Sequence, residues 1–243
     1  MRPLDAARRV RARKGRQGVK VLIACEESQE VCKAFRALGH EAYSCDIQEP
    51  SGGHPEWHIL SDALKAIEGG QVTTMDGEPH DVGRWDLLIA HPPCTYLTAS
   101  SAVRLFNSDH TIKDCGREQK GWEARQFFLS MLSCGIERIA VENPAPLRWF
   151  KLPKYSQIIE PYMFGDSWKK RTCLWLRGLP YLVKTNVVEP KGLWVGSTSG
   201  RDGCTGRIKT GYTLSPHRDA KTRAKTFPGI AKAMAEQWGK EGS

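Results

Sequence analysis

The sequence predicts an α/β fold in which a mostly parallel, twisted sheet carries helices on both faces. Short apolar runs of strand length at 19–24, 85–90 and 138–141 alternate with segments of helical periodicity. The last two of these runs stop at proline-containing polar segments, as strands do where they leave a sheet. Strands that alternate with helices favour a parallel sheet, and ligands bind such sheets at the carboxyl ends of the strands.

The first elements have the order of a nucleotide-binding unit. The run 19–24 is followed by a helical pattern that Gly39 closes, and a second strand at 41–45 ends at Asp46. In such units an acid at this position accepts hydrogen bonds from ribose hydroxyls. The usual glycine-rich turn is absent, so a simple turn-capping role for Asp46 stays open.

A second acid, Asp62, follows a third short strand and precedes a helical face at Leu64 and Ile67. The stretch 69–83 is rich in Gly, Asp and Thr, and this composition predicts an excursion on the surface.

The most informative residue is Cys94, which follows the strand at 85–90 and the pair Pro92 and Pro93. Two prolines fix the direction of the backbone and hold the next side chain at a defined place above the sheet. This placement suits a nucleophile better than a core cysteine. The polar stretch 95–116 beside it predicts a mobile loop that could act as a lid.

A second polar group stands at the end of a later strand. An amphipathic helix is expected at 117–134, and the strand 138–141 then runs into Glu142, Asn143 and Pro144. If both strands belong to one parallel sheet, Cys94 and Glu142 face the same crevice.

Two later segments are basic. The cluster 169–171 precedes a strand, where it is either a solvated rim or part of a site. The stretch 178–215 combines glycines with tryptophan and basic residues, which suits either a nucleic-acid groove or a surface loop. A helix from about 228 to 238 closes the pattern.

Composition bounds the architecture. The 243 residues, 40% of them hydrophobic, suffice for one full domain with a small appendage. No apolar run reaches the roughly 20 residues of a membrane span and no secretory leader is recognisable, so a cytoplasmic protein is expected.

The eight cysteines form no C-x-x-C pair and are expected to be reduced. Pro55 separates His54 from His58, so no metal site is predicted.

The charge is concentrated at one end. Residues 1–20 hold eight Lys or Arg and one Asp, or +7 of the net +9. Such an arm is expected to be disordered and to bind a polyanion, although a solubilising tail or an organellar targeting segment stays open.

The chain is predicted to divide into four regions. These are an arm at 1–18, a core at 19–177, a reduced recognition region at 178–215 and a helix at 216–243 that packs back on the core.

The order of motifs resembles that of the DNA cytosine-5 methyltransferase family. The resemblance spans roughly 19–239 and rests on Pro92-Pro93-Cys94, Glu142-Asn143-Pro144, the basic cluster 169–171 and the closing segment 226–229 with its helix. The chain is similar to the compact enzymes of this type found in bacteriophages.

The resemblance implies a Rossmann-like, S-adenosylmethionine-dependent methyltransferase fold and a covalent mechanism. Cys94 would add to C6 of a cytosine that is flipped out of duplex DNA. Glu142 would act at N3, with a pKa raised by a closed pocket, and Arg171 would contact O2 and steady the glutamate. The methyl group would then go to C5.

The resemblance also implies the binding residues and the partner, which is double-stranded DNA acted on by a monomer. S-adenosylmethionine would lie against Ala24, Glu26, Glu27, Asp46, Asp62 and Pro92. DNA would be held by Asn143, Lys169, Lys170, Arg201 and Arg207. The chain departs from the family after its first strand, where a Phe-x-Gly-x-Gly turn is expected and Ala24-Cys25-Glu26-Glu27-Ser28 stands instead.

Two other functions stay open from the sequence. The missing glycine turn admits a related enzyme that acts on free nucleotides or uses another one-carbon donor. The basic arm admits a noncatalytic DNA-binding protein built on a former methyltransferase.

Overall fold

The computed structural model describes residues 18–194, 213–214 and 219–240 of the chain. The strands are β1 (Lys20–Ala24), β2 (Glu41–Asp46), β3 (His58–Leu60), β4 (Gly70–Thr73), β5 (Pro79–Gly83), β6 (Leu87–Ala90), β7 (Arg138–Asn143), β8 (Gln157–Ile159), β9 (Trp168–Lys169), β10 (Thr172–Arg177), β11 (Gly192–Leu193) and β12 (Thr213–Leu214). The helices are α1 (Glu30–Ala37), α2 (Ala63–Ile67), α3 (Ala102–Leu105), α4 (Cys115–Ser133), α5 (Ala220–Ala224) and α6 (Pro228–Trp238).

Seven strands form the central sheet in the order β3-β2-β1-β6-β7-β10-β8. All neighbouring pairs are parallel except the two that β10 makes, which are antiparallel. The chain runs outward from β1 to β3 and then returns to β6 on the other side of β1. Such a reversal opens a crevice at the carboxyl ends of the two strands beside it. The predicted Rossmann-like fold class is therefore confirmed.

Helices cover both faces of this sheet. On one face, α1 and α6 pack together and bury Phe35 and Trp238 against β1 and β6. On the other face, α2 and α4 contribute a second core that includes Phe128 and Met131. Because both faces are covered, the central strands read as continuous apolar runs.

The first helix is positioned as its sequence predicts. Val31, Cys32 and Phe35 recur at helical spacing and are fully buried. Gly39 follows the helix with φ of 85°, a left-handed conformation that glycine adopts at little cost. The end of α1 and the start of β2 are thereby fixed.

The segment 69–83, predicted to be an excursion on the surface, forms an antiparallel hairpin of β4 and β5 whose residues are mostly exposed. Val72 and Val82 are its buried side chains and pack against the core near Trp85. Two apolar residues among many Gly, Asp and Thr give too weak an alternation to indicate strands.

A small second sheet joins the basic cluster to the region after it. Its order is β12-β11-β9, and both pairings are parallel. Half of the predicted recognition region, with Arg201 and Arg207, lies outside the described residues, as do residues 1–17 of the basic arm. Over the described ranges, no helix is long and apolar enough to cross a membrane.

Candidate active site

The candidate site lies where β6 and β7 end side by side. Their register pairs Ala90 with Val141, so the next residues, His91 and Glu142, stand opposite each other. The amide of His91 donates to Ala24 O of β1 at 2.9 Å, which continues the sheet by one more bond. Three parallel strands thus deliver their polar ends to one edge.

The loops that follow these two strands are held together. Asn143 is fully buried, and its Nδ2 donates to Pro92 O at 3.2 Å. This bond fixes the proline pair relative to the end of β7 and so places Cys94. Asn143 was expected to contact DNA, but its side chain is buried and instead connects the two loops by a hydrogen bond.

The structure brings Cys94 and Glu142 into electrostatic contact. The half-buried Cys94 has a pKa above its usual value because burial disfavours the thiolate and the carboxylate of Glu142 opposes it further. The positive charges of Lys170 and Arg223 counter part of this effect. The thiol is therefore protonated near neutral pH and needs a base before it can attack.

Glu142 is held as a carboxylate. Burial by itself would raise its pKa, but hydrogen bonds from His91 and Thr172 and the charge of Lys170 outweigh burial and lower the pKa. Nδ1 of His91 lies 3.2 Å from Oε2 of Glu142. The expectation that a closed pocket raises the pKa of Glu142 is thus wrong, because polar and charged side chains in the pocket stabilise the carboxylate.

Lys170 occupies the place that the sequence assigned to Arg171. Its Nζ donates to the carbonyls of Ala224 and Lys225 at 3.4 and 3.2 Å and faces Glu142. Burial lowers the pKa of Lys170, and Glu142 and Cys94 partly restore it.

Arg171 is exposed and lies on the other side of the strand. Together with Lys169 it faces Glu160, whose pKa burial raises and these two charges lower in part. Successive side chains of an extended backbone point to opposite faces, so Lys170 and Thr172 share the site and Arg171 does not. The assignment of Arg171 as a catalytic residue is corrected on this ground.

Two carboxylates line the crevice beyond β2 and β3. Asp46 accepts from the amide of Gln48 at 2.9 Å, and Asp62 caps α2 by accepting from Leu64 N at 2.8 Å. Both raise the pKa of the Cys25 thiol after burial, so both lie near the end of β1. Each acid has a structural bond through Oδ1, and within the described residues no hydrogen bond uses Oδ2.

The turn after β1 is built differently from a glycine-rich loop. Cys25 and Gln29 both adopt φ of 59°, a left-handed conformation that favours glycine. The buried carboxylate of Glu26 accepts from Val31 N at 2.7 Å and from Cys32 N at 3.2 Å. Glu26 therefore caps α1 from within and fills the position where a helix N-terminus would bind an outside anion.

Glu27, in the same turn, is mostly buried. Its Oε2 pairs with Lys221 of α5 at 3.3 Å, so the turn is tied to the C-terminal part of the chain.

The segment 95–116 is more ordered than its composition predicts. It contains a short 3-10 helix and α3, and Leu97 and Leu105 are buried. Main-chain bonds from Leu147 to Leu97 O and from Ala99 to Ala145 O tie it to the loop after β7. The segment is thus anchored, just after Cys94, to the loop that follows β7.

His91, Thr172 and Arg223 were missed as site residues by the sequence analysis. His91 alone carried a signal, since it is the first residue after a strand and directly precedes the two prolines. Thr172 and Arg223 reach the site through the antiparallel strand and the C-terminal segment, which no local pattern indicates. Among the described residues, no group of three or more His, Cys, Asp or Glu could hold a metal ion.

Comparisons with known proteins found likeness only among solved structures. No family model and no curated protein matches the chain. The Entamoeba histolytica methyltransferase EhMeth is 14% identical with a TM-score of 0.40, over 77% of this chain and 61% of that one. A prophage-encoded E. coli protein described as a DNA modification methyltransferase is 11% identical with a TM-score of 0.38, over 70% of this chain and 52% of that one. The chain spans less than two thirds of either protein, and values this low carry no conclusion about function.

Proposed function

We propose that this protein is a DNA cytosine-5 methyltransferase that transfers a methyl group from S-adenosylmethionine through a covalent adduct of Cys94. One observation carries the proposal: a thiol and an ionised carboxylate that follow neighbouring parallel strands lie at the edge where such sheets bind ligands, close enough for the carboxylate to raise the pKa of the thiol. The motif resemblance supports the same pair of residues.

The crevice fits the adenosine part of the proposed cofactor. Asp46 and Asp62 each have a carboxylate oxygen available to accept a hydrogen bond, which suits the ribose hydroxyls and the adenine amino group. Pro92 would lie beside it. S-adenosylmethionine, when bound, supplies an electrophilic methyl group on a sulfonium centre. The methionine end needs other partners than the main chain at the start of α1, because Glu26 uses it.

The first chemical task is to activate a carbon that is a poor nucleophile. Glu142 takes the proton of the Cys94 thiol as the sulfur attacks C6 of cytosine. The S–H bond breaks, the S–C6 bond forms, and the electrons of the C5=C6 bond move towards N3. Glu142 then delivers the proton to N3, so that no charge is left on the ring, and C5 becomes enamine-like.

The adduct must also be resolved. After methylation, a base or a water molecule takes the proton from C5, and its electron pair restores the C5=C6 bond. The C6–S bond breaks and Cys94 leaves as the thiolate, while the proton on N3 returns through Glu142 to the sulfur, which restores the starting state. The positive charge of Lys170 would stabilise the carboxylate of Glu142 and the departing thiolate in both stages, since Lys170 faces both groups.

A DNA substrate agrees with the charge of the chain. The net charge is +9, and neutralising phosphates with basic side chains favours nucleic-acid binding. Because C5 and C6 are stacked within the duplex, the cytosine must be flipped out, at a cost on the order of a few kcal/mol. The segment 95–116 beside Cys94 would cover the extruded base.

The test is to incubate the protein with methyl-labelled S-adenosylmethionine and duplex DNA and to locate 5-methylcytosine by sequencing. We expect Cys94→Ala to abolish transfer and leave DNA affinity nearly unchanged. Cys134→Ser is the matched control, because that cysteine ends α4 at the opposite edge of the sheet and should retain full activity. DNA that contains 5-fluorocytosine should trap a covalent complex with the wild type, since fluorine cannot leave as a proton.

Other outcomes would replace the proposal. Undiminished transfer by Cys94→Ala would exclude the covalent route. Methylation of free cytidine nucleotides but not of DNA would assign the protein to nucleotide modification. Tight DNA binding without transfer or trapping would indicate a noncatalytic DNA-binding protein.

A further inference from the structure

His91 occupies a position in the site that the proposed mechanism leaves without a task. It is the first residue after β6, between the ends of β1 and β7, and only 12% of its side chain is exposed. It also lines a small cavity with Glu142, Lys170 and Thr172, closed by apolar side chains of α6. A polar residue so enclosed needs a physical reason to be there.

The hydrogen bond to Glu142 fixes the state of the imidazole. A carboxylate can only accept hydrogen bonds, so Nδ1 of His91 must be the donor in the 3.2 Å contact with Oε2. The ring is therefore held with a proton on Nδ1. A donor aimed at a partly buried carboxylate favours its charged form.

The other side of His91 meets a second carboxyl group. Glu26 is buried, and its electrostatic interaction with His91 is the largest effect that opposes its own desolvation. Nε2 of His91 is buried and has no hydrogen-bond partner within the described residues. The imidazole thus stands between two carboxyl groups but gives its hydrogen bond only to Glu142.

The two carboxyl groups are tuned in opposite directions. Burial raises the pKa of Glu26, whereas hydrogen bonds and Lys170 lower the pKa of Glu142. Of the two, Glu142 is the carboxylate whose charge raises the pKa of the Cys94 thiol.

We infer that His91 is a positioning residue that keeps Glu142 ionised and aimed at the Cys94 thiol, so that the base which starts the reaction depends on it. This inference rests on the proposed function. Among the groups that lower the pKa of Glu142, the hydrogen bond from His91 has the largest effect, ahead of the charge of Lys170 and of Thr172.

Every charged group that faces this pair bears on the test. Glu26 comes from the turn after β1, Cys94 from the loop after β6, Lys170 from the approach to β10 and Arg223 from α5. The variants below change none of them. A difference between variants therefore reports on His91 itself.

The experiment compares His91→Leu with His91→Asn over pH 5–9. Leucine fills the space without a donor, whereas an asparagine amide can stand near the position of Nδ1. We expect His91→Leu to move the acidic limb of the kcat/KM profile up by about one pH unit, the typical worth of a charge-assisted hydrogen bond, and so to lower the rate at pH 5 more than at pH 8. His91→Asn should restore most of the rate, and DNA affinity should stay unchanged in both.

A second measurement needs neither cofactor nor DNA. The side-chain carboxyl carbon of Glu142 can be followed by NMR in the labelled full-length protein and assigned by its absence in Glu142→Gln. We expect it to titrate at higher pH in His91→Leu than in the wild type. His54→Leu is the matched control, because it removes another imidazole–carboxylate pair, the 2.9 Å contact with exposed Glu56.

The outcomes separate the inference from the proposed function. A Glu142 signal that titrates alike in the wild type and in His91→Leu overturns the inference, whether or not the protein methylates DNA. A wild type without transfer or trapping refutes the proposed function, while the titration still decides the link between His91 and Glu142. Should His91→Leu fail to fold, His91→Ala carries the same comparison.

Discussion

Glu142→Gln offers a test of the site that needs no substrate. The negative charge of Glu142 raises the pKa of Cys94, so its removal should make the thiol ionise at lower pH. A glutamine keeps the size of the side chain and its place beside Thr172. The variant should therefore lose methyl transfer and yet gain thiol reactivity, a combination that general damage to the site would not produce.

The expected size follows from the charges in contact. Two unit charges about 6 Å apart interact by about 3 kcal/mol at an effective dielectric constant near 20. With 17% of the Glu142 side chain exposed and Lys170 offsetting part of its field, we expect about 1 kcal/mol to remain for Cys94. This corresponds to a roughly fivefold faster reaction at fixed pH.

The assay is alkylation by iodoacetamide between pH 7 and 9, with the modification of Cys94 read by peptide mass spectrometry. In the wild type the rate should keep rising across this range, because the pKa of the thiol lies above its usual value. The Glu142→Gln profile should lie at lower pH. Glu160→Gln removes a carboxylate from the other side of the basic cluster and should leave the profile in place. An unchanged or slower rate in Glu142→Gln would refute the electrostatic account of the site.

Three further outcomes follow from packing and charge. Gly121→Ala should lower the free energy of unfolding by about 1–3 kcal/mol in denaturant titrations, because a Cβ at this position meets the ring of Phe150. An unaltered unfolding midpoint would contradict this packing. Glu26→Ala should cost about 1–2 kcal/mol through loss of the cap on α1, to be read from the thermal midpoint against the wild type. Asp46→Asn should weaken S-adenosylmethionine binding about tenfold in calorimetry, because a hydrogen bond to a charged acceptor is lost. The control Asp81→Asn removes a similar turn acid from the β4–β5 hairpin and should bind S-adenosylmethionine normally.

The order of the elements could be predicted from local patterns. The central strands β1, β6 and β7 are apolar runs that end at a turn or a proline, and α1 shows a helical periodicity with its stop signal at Gly39. The convergence of Cys94 and Glu142 could also be predicted, because Cys94 comes soon after one strand of the sheet and Glu142 lies near the carboxyl end of the parallel strand beside it. The hairpin β4–β5 could not, since only Val72 and Val82 mark its buried face.

The details of the site needed the three-dimensional structure. The basic cluster was predicted, but an extended backbone turns alternate side chains to opposite faces, and Lys170 rather than Arg171 enters the site. Glu26 was expected at the cofactor, yet its carboxylate reaches back to cap α1. Neither outcome follows from residue type or spacing, because each depends on where the neighbouring backbone lies.

The sequence by itself determined the fold class, the strand ends that carry chemistry and the pairing of a thiol with a carboxylate, because all of these rest on short-range periodicity and on the parallel order of strands. The tertiary structure alone decided the state of that pair. Ionisation of Glu142 depends on His91, Thr172 and Lys170, which come from two segments far apart in the chain and meet only when the sheet and the C-terminal helices close around them. Electrostatic interactions depend on the distance between charges in space, which the separation of two residues along the sequence does not reveal.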